Sequence, residues 1–306
     1  MDDRSALIAL NMMEQVGPVT AGLLSGALGS YSGIFEASAD SMLAVEGVGR
    51  RKVEAIMSQR DRVEWSREEG LAAAAGIRII TCLDEEYPDI LRHIHDPPLA
   101  LYIRGDFESG DENSVAVVGT RRPTHYGREV AESFSFSLTK AGTTVVSGLA
   151  AGIDTCAHRG ALKAGGRTIA VMGGGFDHIY PASNVSLCDG IAEAGAVVTE
   201  LPLSKRPDKS TFPMRNRIVS GISRGVVVVE AGCKSGALIT ASEALDHGRQ
   251  VFAVPGRIDS PRSFGTNTLI RDGAKLVCSV DDILEEFGDM FRAQRNDFSS
   301  GNSAFI

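Results

Sequence analysis

Residues 226–256 read VVVVEAGCKSGALITASEALDHGRQVFAVPG, and this stretch decides the fold. A run of valines is followed by a glycine-containing loop, a helical pattern and a second apolar run. Both runs are too uniformly hydrophobic for half-exposed strands, and a helix of this length can connect two parallel strands. The stretch therefore predicts a βαβ unit in a parallel sheet.

The same pattern extends toward both ends of the chain. Further short apolar runs, mostly separated by amphipathic helical patterns, occupy residues 115–118, 144–147, 168–172, 196–199 and 275–277. We therefore predict an α/β fold with an extended Rossmann-like, doubly wound parallel sheet. Ligands of such sheets bind outside the carboxyl ends of the strands, so the loops after these runs are the candidate site.

The chain that precedes the sheet has helical periodicity and two glycine turns, at residues 16–21 and 45–50. A glycine turn between two helices exposes amide groups at the start of the second helix. This helix-hairpin-helix arrangement holds a phosphate without reading sequence. Arg50, Arg51 and Lys52 follow the second turn directly. Such hairpins also serve protein contacts alone, so both interpretations remain open.

We predict three regions along the chain. Residues 1–72 form a small all-α, SAM-like helix-hairpin-helix domain, and residues 73–280 form the extended Rossmann domain. Residues 281–306 form an acidic helix, over 281–291, and a polar, disordered tail.

The composition of the chain limits the kinds of site and the cellular location that it can have. The formal net charge of −8 argues against a DNA coat over the whole surface, so a nucleic-acid site has to be a local basic patch. The five cysteines are scattered and are interpreted as small buried hydrophobic residues in a reducing compartment. Because no apolar run resembles a signal peptide or is long enough to span a bilayer, we expect a cytoplasmic protein with no membrane association.

Residues 210–223 read STFPMRNRIVSGIS and are the strongest candidate for ligand contact. Phe212 stands shortly before Arg215, Asn216 and Arg217, and we expect a helix to start after them at Ile218. An aromatic face beside two guanidinium groups at a helix N-terminus suits a base and its phosphate. In the alternative interpretation, Phe212 fills the core and the arginines cap neighbouring helices.

Positive charge is concentrated around this stretch and in the loop after the first run of the sheet. If the loops after the first and fourth runs are neighbours, these cations converge on one basic pocket, which suits a single strand of nucleic acid better than a lone nucleotide. The cations are Lys205, Arg206, Lys209, Arg215, Arg217 and Arg224 around the stretch, and Arg121, Arg122 and Arg128 in the first loop.

Several catalytic classes are disfavoured. The chain contains no GxxxxGK[ST] loop and no GxSxG elbow, and the loop at Gly119 departs from GxGxxG because Arg121 occupies a site that needs a small residue. Asp154 and His158, four residues apart, are more typical of a contact at a helix start than of an acid–base pair. Glu230 is expected to accept hydrogen bonds from loop amides. We predict no catalytic residues, no cofactor and no metal.

Five strings in the same order resemble the DNA-processing protein A family, also called DprA or Smf. They are VAVVGTRRPTHYG (115–127), SGLAAGIDTCAH (147–158), TIAVMGGGFDHIYPASN (168–184), FPMRNRIVSGIS (212–223) and the opening stretch (226–256).

The resemblance implies a single-stranded-DNA-binding protein that is not an enzyme. It implies that the protein protects incoming strands in natural transformation, loads RecA recombinase in place of single-strand-binding protein, and is a homodimer. The residues that match the DNA pocket of the family are Gly119, Thr120, Arg121, Ser147, Gly148, Lys209, Phe212, Arg215, Asn216 and Arg217. Thr120 replaces the more frequent serine and keeps the hydroxyl group.

Many members of the family continue into a winged-helix domain, whereas here the acidic helix and the polar tail follow the Rossmann domain. Two alternatives remain. A nucleotide-processing phosphoribohydrolase shares a related core, but its PGGxGT string and following glutamate have no clear counterpart in EAGCKSG at residues 230–236. A scaffolding protein with incidental DNA contact is the other.

Overall fold

The structure, a computed structural model, describes residues 1–288 of the chain. The predicted tail, and the end of the acidic helix predicted over 281–291, lie outside the described residues. Among the described helices, none is both long and apolar enough to cross a membrane. The described chain divides into two compact units. The first comprises Met1–Arg104, Gly174–His178 and Val198–Pro207, and the second comprises Gly105–Gly173, Ile179–Val197 and the chain from Asp208 onward.

Residues 1–288 contain nine strands, most of them parallel, which confirms the predicted α/β class. They are β1 (Arg78–Thr81), β2 (Ala100–Gly105), β3 (Ser114–Val118), β4 (Thr144–Ser147), β5 (Thr168–Val171), β6 (Ala196–Thr199), β7 (Gly225–Val228), β8 (Gln250–Ala253) and β9 (Lys275–Leu276).

Fourteen α-helices accompany these strands in the described residues. They are α1 (Asp3–Met12), α2 (Pro18–Leu28), α3 (Gly33–Glu36), α4 (Ala39–Leu43), α5 (Arg50–Gln59), α6 (Trp65–Ala74), α7 (Asp89–Arg92), α8 (His125–Lys140), α9 (Ile153–Lys163), α10 (Val185–Ala194), α11 (Thr211–Ile222), α12 (Gly236–Asp246), α13 (Phe264–Arg271) and α14 (Asp281–Phe287).

The sheet of the second unit has the strand order β5-β4-β3-β7-β8-β9, and each neighbouring pair is parallel. The chain passes from β3 to β4 to β5 in one direction and later returns to place β7 on the other side of β3. The direction of winding therefore reverses between β3 and β7. In open α/β sheets this reversal creates a crevice at the carboxyl ends of the two strands.

The strands of this sheet are buried because helices cover both faces. Every residue of β3, β4, β5 and β7 is buried, which explains why each strand consists mainly of apolar residues. One core cluster joins Val115 and Val117 of β3 and Val227 of β7 to apolar residues of α8, α9 and α14. This core fixes the positions from which the loops of the site extend.

The first unit contains the two predicted helical hairpins. Gly17 precedes α2, whose first residue is Pro18, and Gly49 precedes α5, so both glycine turns end where the second helix begins. The apolar faces of α1, α2, α4 and α5 share one core. Arg50 and Arg51 are exposed at the start of α5. The predicted domain boundaries at residues 72 and 280 stay predictions.

The interpretation of all five cysteines as buried residues was wrong. All five are free thiols, but only Cys188 is buried, and Cys233 and Cys278 are exposed. Both exposed residues lie in loops, Cys233 between β7 and α12 and Cys278 after β9, where no core covers them. Scattered spacing indicated the absence of a disulfide frame but carried no information on burial.

Candidate functional site

A cavity of about 560 Å³ lies at the reversal between β3 and β7. Loops that follow β3, β4 and β7 line it, together with the first turns of α11 and α12. The lining residues are Val118, Gly119, Thr120, Arg121, Gly148, Ala150, Asp154, Phe212, Pro213, Arg215, Asn216, Val219, Gly232, Cys233, Lys234, Ser235, Gly236, Ala237, Ile239, Thr240 and Pro261. We call Arg121 and Phe212 the rim of the cavity, and Gly148, Asp154 and Arg215 its floor.

The loop after β3 is anchored at both ends by Glu230. The amide of Thr120 donates to the main-chain oxygen of Glu230 at 2.8 Å, and the amide of Thr124 donates to its carboxylate at 2.8 Å. The Thr124 hydroxyl also donates to this carboxylate and caps α8 by accepting from the amide of Gly127. The prediction that Glu230 accepts bonds from loop amides is therefore confirmed, and the carboxylate holds the loop that carries Arg121.

The rim consists of a guanidinium group over an aromatic ring. The central guanidinium carbon of Arg121 lies 4.6 Å from the centroid of the Phe212 ring, within the range of a cation–π contact. Behind the ring, a Cβ atom added to Gly173 would lie 2.8 Å from Phe212, so only glycine leaves room there. Arg121 is exposed and Phe212 is half-buried. The rim thus presents a positive charge and part of an aromatic surface to solvent.

The helix that carries Phe212 begins earlier than predicted. α11 starts at Thr211 rather than at Ile218, and Asp208 accepts from the Thr211 amide at 3.0 Å. Pro213 is the third helical residue, a position at which the amide needs no partner within the helix, so proline does not interrupt it. Arg215 and Arg217 therefore lie within the helix and not before it.

The floor is formed by buried charged residues. Arg215 is only 5% exposed and donates from Nη1 to the carbonyl oxygen of Val171 at 2.8 Å. A Cβ atom on Gly148 would lie 1.6 Å from the same nitrogen, so the guanidinium fills the space that this glycine leaves. Asp154 lies at the start of α9 and is 6% exposed. Its carboxylate accepts a hydrogen bond from the amide of Ala150.

Burial dominates the titration of the floor. It lowers the pKa of Arg215 to about 10, an effect that the nearby Asp154 carboxylate opposes and the Arg121 charge reinforces. Burial raises the pKa of Asp154, while Arg215 and the amide of Ala150 act in the opposite direction. Arg215 remains charged at neutral pH and contributes positive potential to the cavity from behind.

His158 is fully buried and contacts Thr168. The sequence predicted a contact with Asp154 instead. The Thr168 hydroxyl donates to the carbonyl oxygen of Val145 at 2.7 Å, so it accepts from Nδ1 of His158 at 2.8 Å. Burial, reinforced by the charge of Arg215, lowers the pKa of His158 to about 3. The ring is therefore neutral, and its role is structural.

The structure brings most of the predicted site residues to one cavity. The lining includes Gly119, Thr120, Arg121, Gly148, Phe212, Arg215 and Asn216. It does not include Ser147, Lys209 or Arg217. Ser147 is buried and its hydroxyl donates to the carbonyl oxygen of Val117, Arg217 is buried in α11, and Lys209 is exposed before that helix.

The route by which the predicted cations meet differs from expectation. The segments after the first and fourth runs do come together at Arg121 and Phe212, but not through adjacent strands, because the neighbours of β3 are β4 and β7. The first turn of α11 brings Phe212 to Arg121 instead. Two predicted cations are engaged elsewhere: Lys205 pairs with Glu14 at 3.7 Å, and Arg224 donates to the carbonyl oxygen of Glu112.

One wall of the cavity was missing from the predicted site. The loop at residues 232–236 and the first turn of α12 form it, and Asn216 links it to α11 by donating to the carbonyl oxygen of Gly236 at 3.3 Å. The glycines of this loop were visible in the sequence. The missing information was that β7 lies next to β3 in the sheet. Only the observed strand order shows this.

Comparisons with known proteins agree with this arrangement. The sequence model of a family described as DNA recombination-mediator protein A matches residues 78–288. The chain is 46% identical over 212 residues to the DNA processing protein DprA of Bacillus subtilis, which covers 69% of this chain and 71% of that protein.

Solved structures show the same likeness. DNA processing protein A from Streptococcus pneumoniae superimposes with a TM-score of 0.80 at 34% identity, covering 94% of this chain and 99% of that chain. The protein of the same name from Helicobacter pylori, whose structure concerns its single-stranded DNA binding mode, gives a TM-score of 0.62 at 31% identity. That match covers 69% of this chain and 95% of the other.

Proposed function

Because the chain belongs to the DNA recombination-mediator protein A family, we propose that it binds single-stranded DNA in the cavity between β3 and β7. The observation that carries this proposal is the contact between Arg121 and Phe212 at the rim. Proteins that bind single strands without sequence preference combine cations that hold phosphates with aromatic rings on which bases stack. The rim supplies one of each within a few ångströms.

The lining supports sequence-independent binding. Gly119, Gly148 and Gly232 have no side chains to hold a nucleotide away from the backbone, and the amides at the start of α12 favour an anion. The Thr120 hydroxyl adds a hydrogen-bonding group. Contacts of these kinds fix a sugar-phosphate chain in place but do not distinguish one base from another.

The remaining predicted site residues take different parts in the proposal. Lys209, exposed just before α11, contacts a phosphate outside the cavity. Arg215 supplies charge from the floor, and Asn216 positions the α12 loop through Gly236. Ser147 and Arg217 are buried and do not line the cavity, so their part in the proposal is structural.

In the cell, we propose that this binding protects incoming strands in natural transformation and recombination and loads RecA recombinase onto them in place of single-strand-binding protein. The description of the family as recombination mediators supports the recombinase partner. We propose that the protein acts as a homodimer and not as an enzyme. The loop that follows Glu230 lacks the glutamate that the phosphoribohydrolase alternative requires, and the carboxylate of Glu230 is already engaged by Thr124 at the start of α8.

Fluorescence titration of labelled oligothymidine at two salt concentrations tests the site. We expect Arg121→Ala to weaken binding about tenfold and to reduce the salt dependence by about one phosphate contact. Phe212→Ala should weaken binding by about 1–3 kcal/mol, with the salt dependence unchanged. The control is Arg271→Ala, which removes an exposed arginine paired with Asp272 in the same unit.

Equal affinities for the wild type and both rim variants would contradict the proposed site, and no binding by the wild type would contradict the proposed function. Light scattering of the same samples counts the subunits. Incubation with nucleoside monophosphates tests the enzymatic alternative, since release of free base would favour it.

A further inference from the structure

Tyr180 is a half-exposed aromatic residue that lies beside the rim of the cavity. Its side chain follows β5, and 55% of the residue surface is exposed. The centroid of its ring lies 6.0 Å from that of Phe212, with an angle of 55° between the ring planes. Tilted pairs at this separation are favourable, and they leave the face of the outer ring uncovered by its partner.

Tyr180 contacts a residue of the cavity lining without lining the cavity itself. Phe212 and Arg121 both line the cavity, whereas the lining does not include Tyr180. Arg121 and Gly173 already contact the Phe212 ring, and Tyr180 is its aromatic neighbour on the outside of the rim. A polymer that leaves the cavity past Phe212 therefore meets a second ring immediately.

We propose that Tyr180 is a second stacking platform, which receives the base next to the one bound at the rim. The inference rests on the proposed function and extends it, because a second platform outside the cavity serves a polynucleotide but not a mononucleotide. Every base has a π-face, so stacking on Tyr180 adds affinity without adding sequence preference. The phenol group keeps the exposed ring compatible with water when no strand is bound.

A purely structural role for Tyr180 is the competing interpretation, since single exposed aromatic residues are common on protein surfaces. Three variants separate the two roles. Tyr180→Leu keeps apolar bulk against Phe212 but removes the aromatic face, and Tyr180→Phe keeps the face but removes the hydroxyl. Tyr126→Leu is the matched control, because Tyr126 in α8 is 52% exposed and does not line the cavity.

The affinity of each variant for a long oligothymidine and for thymidine monophosphate is the first readout. We expect Tyr180→Leu to weaken binding of the long strand on the order of tenfold, and to leave mononucleotide binding and the melting temperature unchanged. Tyr180→Phe and Tyr126→Leu should bind like the wild type. Equal losses for both probes, with a lower melting temperature, would show that Tyr180 only supports Phe212 and would overturn the proposal.

Photo-crosslinking supplies a direct readout on the wild-type protein. Oligothymidines that carry one bromodeoxyuridine are irradiated in the complex, and the modified peptide is identified by mass spectrometry. We expect adducts at Tyr180 and at Phe212 from adjacent positions of the strand. Binding that depends on Arg121 but yields no adduct at Tyr180, with no loss in Tyr180→Leu, would overturn the second platform and leave the proposed function intact. No binding by the wild type would overturn both.

Discussion

Arg121 at the rim and Arg215 at the floor line the same cavity, but their surroundings differ. Arg121 stands on a loop, is exposed and covers the ring of Phe212. Arg215 is 5% exposed, fills the space beside Gly148 and donates to the main chain of Val171. An exposed cation can contact a phosphate directly, whereas a buried cation needs its hydrogen-bond and charge partners within the protein interior. Burial, and not residue type, therefore separates their roles.

The largest effect is expected from truncating the two arginines in turn. Arg215→Ala removes the positive charge that most lowers the pKa of the buried Asp154 and opens a void beside Gly148, so we expect the free energy of unfolding to fall by about 3–5 kcal/mol. Arg121→Ala, at an exposed position, should change it by no more than about 1 kcal/mol, the size of its cation–π contact. Urea denaturation followed by circular dichroism measures both. Similar losses in the two variants would remove the distinction between rim and floor.

A smaller effect concerns the pH dependence of stability near the floor. The pKa of His158 is about 3 in the folded protein, below its ordinary value of 6.5, because burial disfavours the imidazolium form. As the pH falls from 6.5 toward 3, the His158 imidazole becomes protonated in the unfolded chain but stays neutral in the folded protein. This group therefore removes up to about 1.4 kcal/mol of stability per pH unit.

His158→Asn keeps a donor for Thr168 but has no titrating ring. We expect it to flatten the fall in unfolding free energy between pH 6.5 and pH 4, relative to the wild type, in urea titrations at several pH values. His93→Asn is the control, since 72% of that side chain is exposed. The assignment fails if both variants keep the wild-type slope.

The smallest effect is the coupling within the rim. A double-mutant cycle with Arg121→Ala and Phe212→Leu should give an interaction free energy of about 0.5–1 kcal/mol in the absence of DNA, as expected for a cation–π contact at an exposed site. Thermal unfolding of the four proteins measures it. Additive losses would mean that the guanidinium and the ring do not stabilise each other in solution, and the rim would then be two independent groups.

The sheet could be predicted from the sequence because its strands are buried on both faces. The sequences of such strands are short runs of mainly apolar residues. Accordingly, β4 and β6 begin and end at the predicted residues. The order of the strands could not be predicted in this way. The apolar runs carry no information on which strands pair, so the neighbour β7 of β3 and the α12 wall of the cavity were missed.

The sequence predicted most of the residues of the site but not how they are arranged. Local sequence identified Arg121 and Phe212, but the contact between them depends on where α11 begins. The dipeptide Phe212-Pro213 suggested a segment before the helix, although proline is well tolerated in a first turn. The burial of Arg215 depends on the absence of a side chain at Gly148, a residue far away in sequence, so no local pattern could reveal it.

The double anchoring of the β3 loop by Glu230 limits how this loop can change in length. Its entry at Thr120 and its exit at Thr124 are bound to the main chain and the side chain of one residue, so the span between them equals the reach of a single glutamate. Substitutions at Arg121 and Arg122 alter chemistry without disturbing this closure. An inserted or deleted residue would detach one end, so we expect engineering of the loop to tolerate exchanges of side chains but not insertions or deletions.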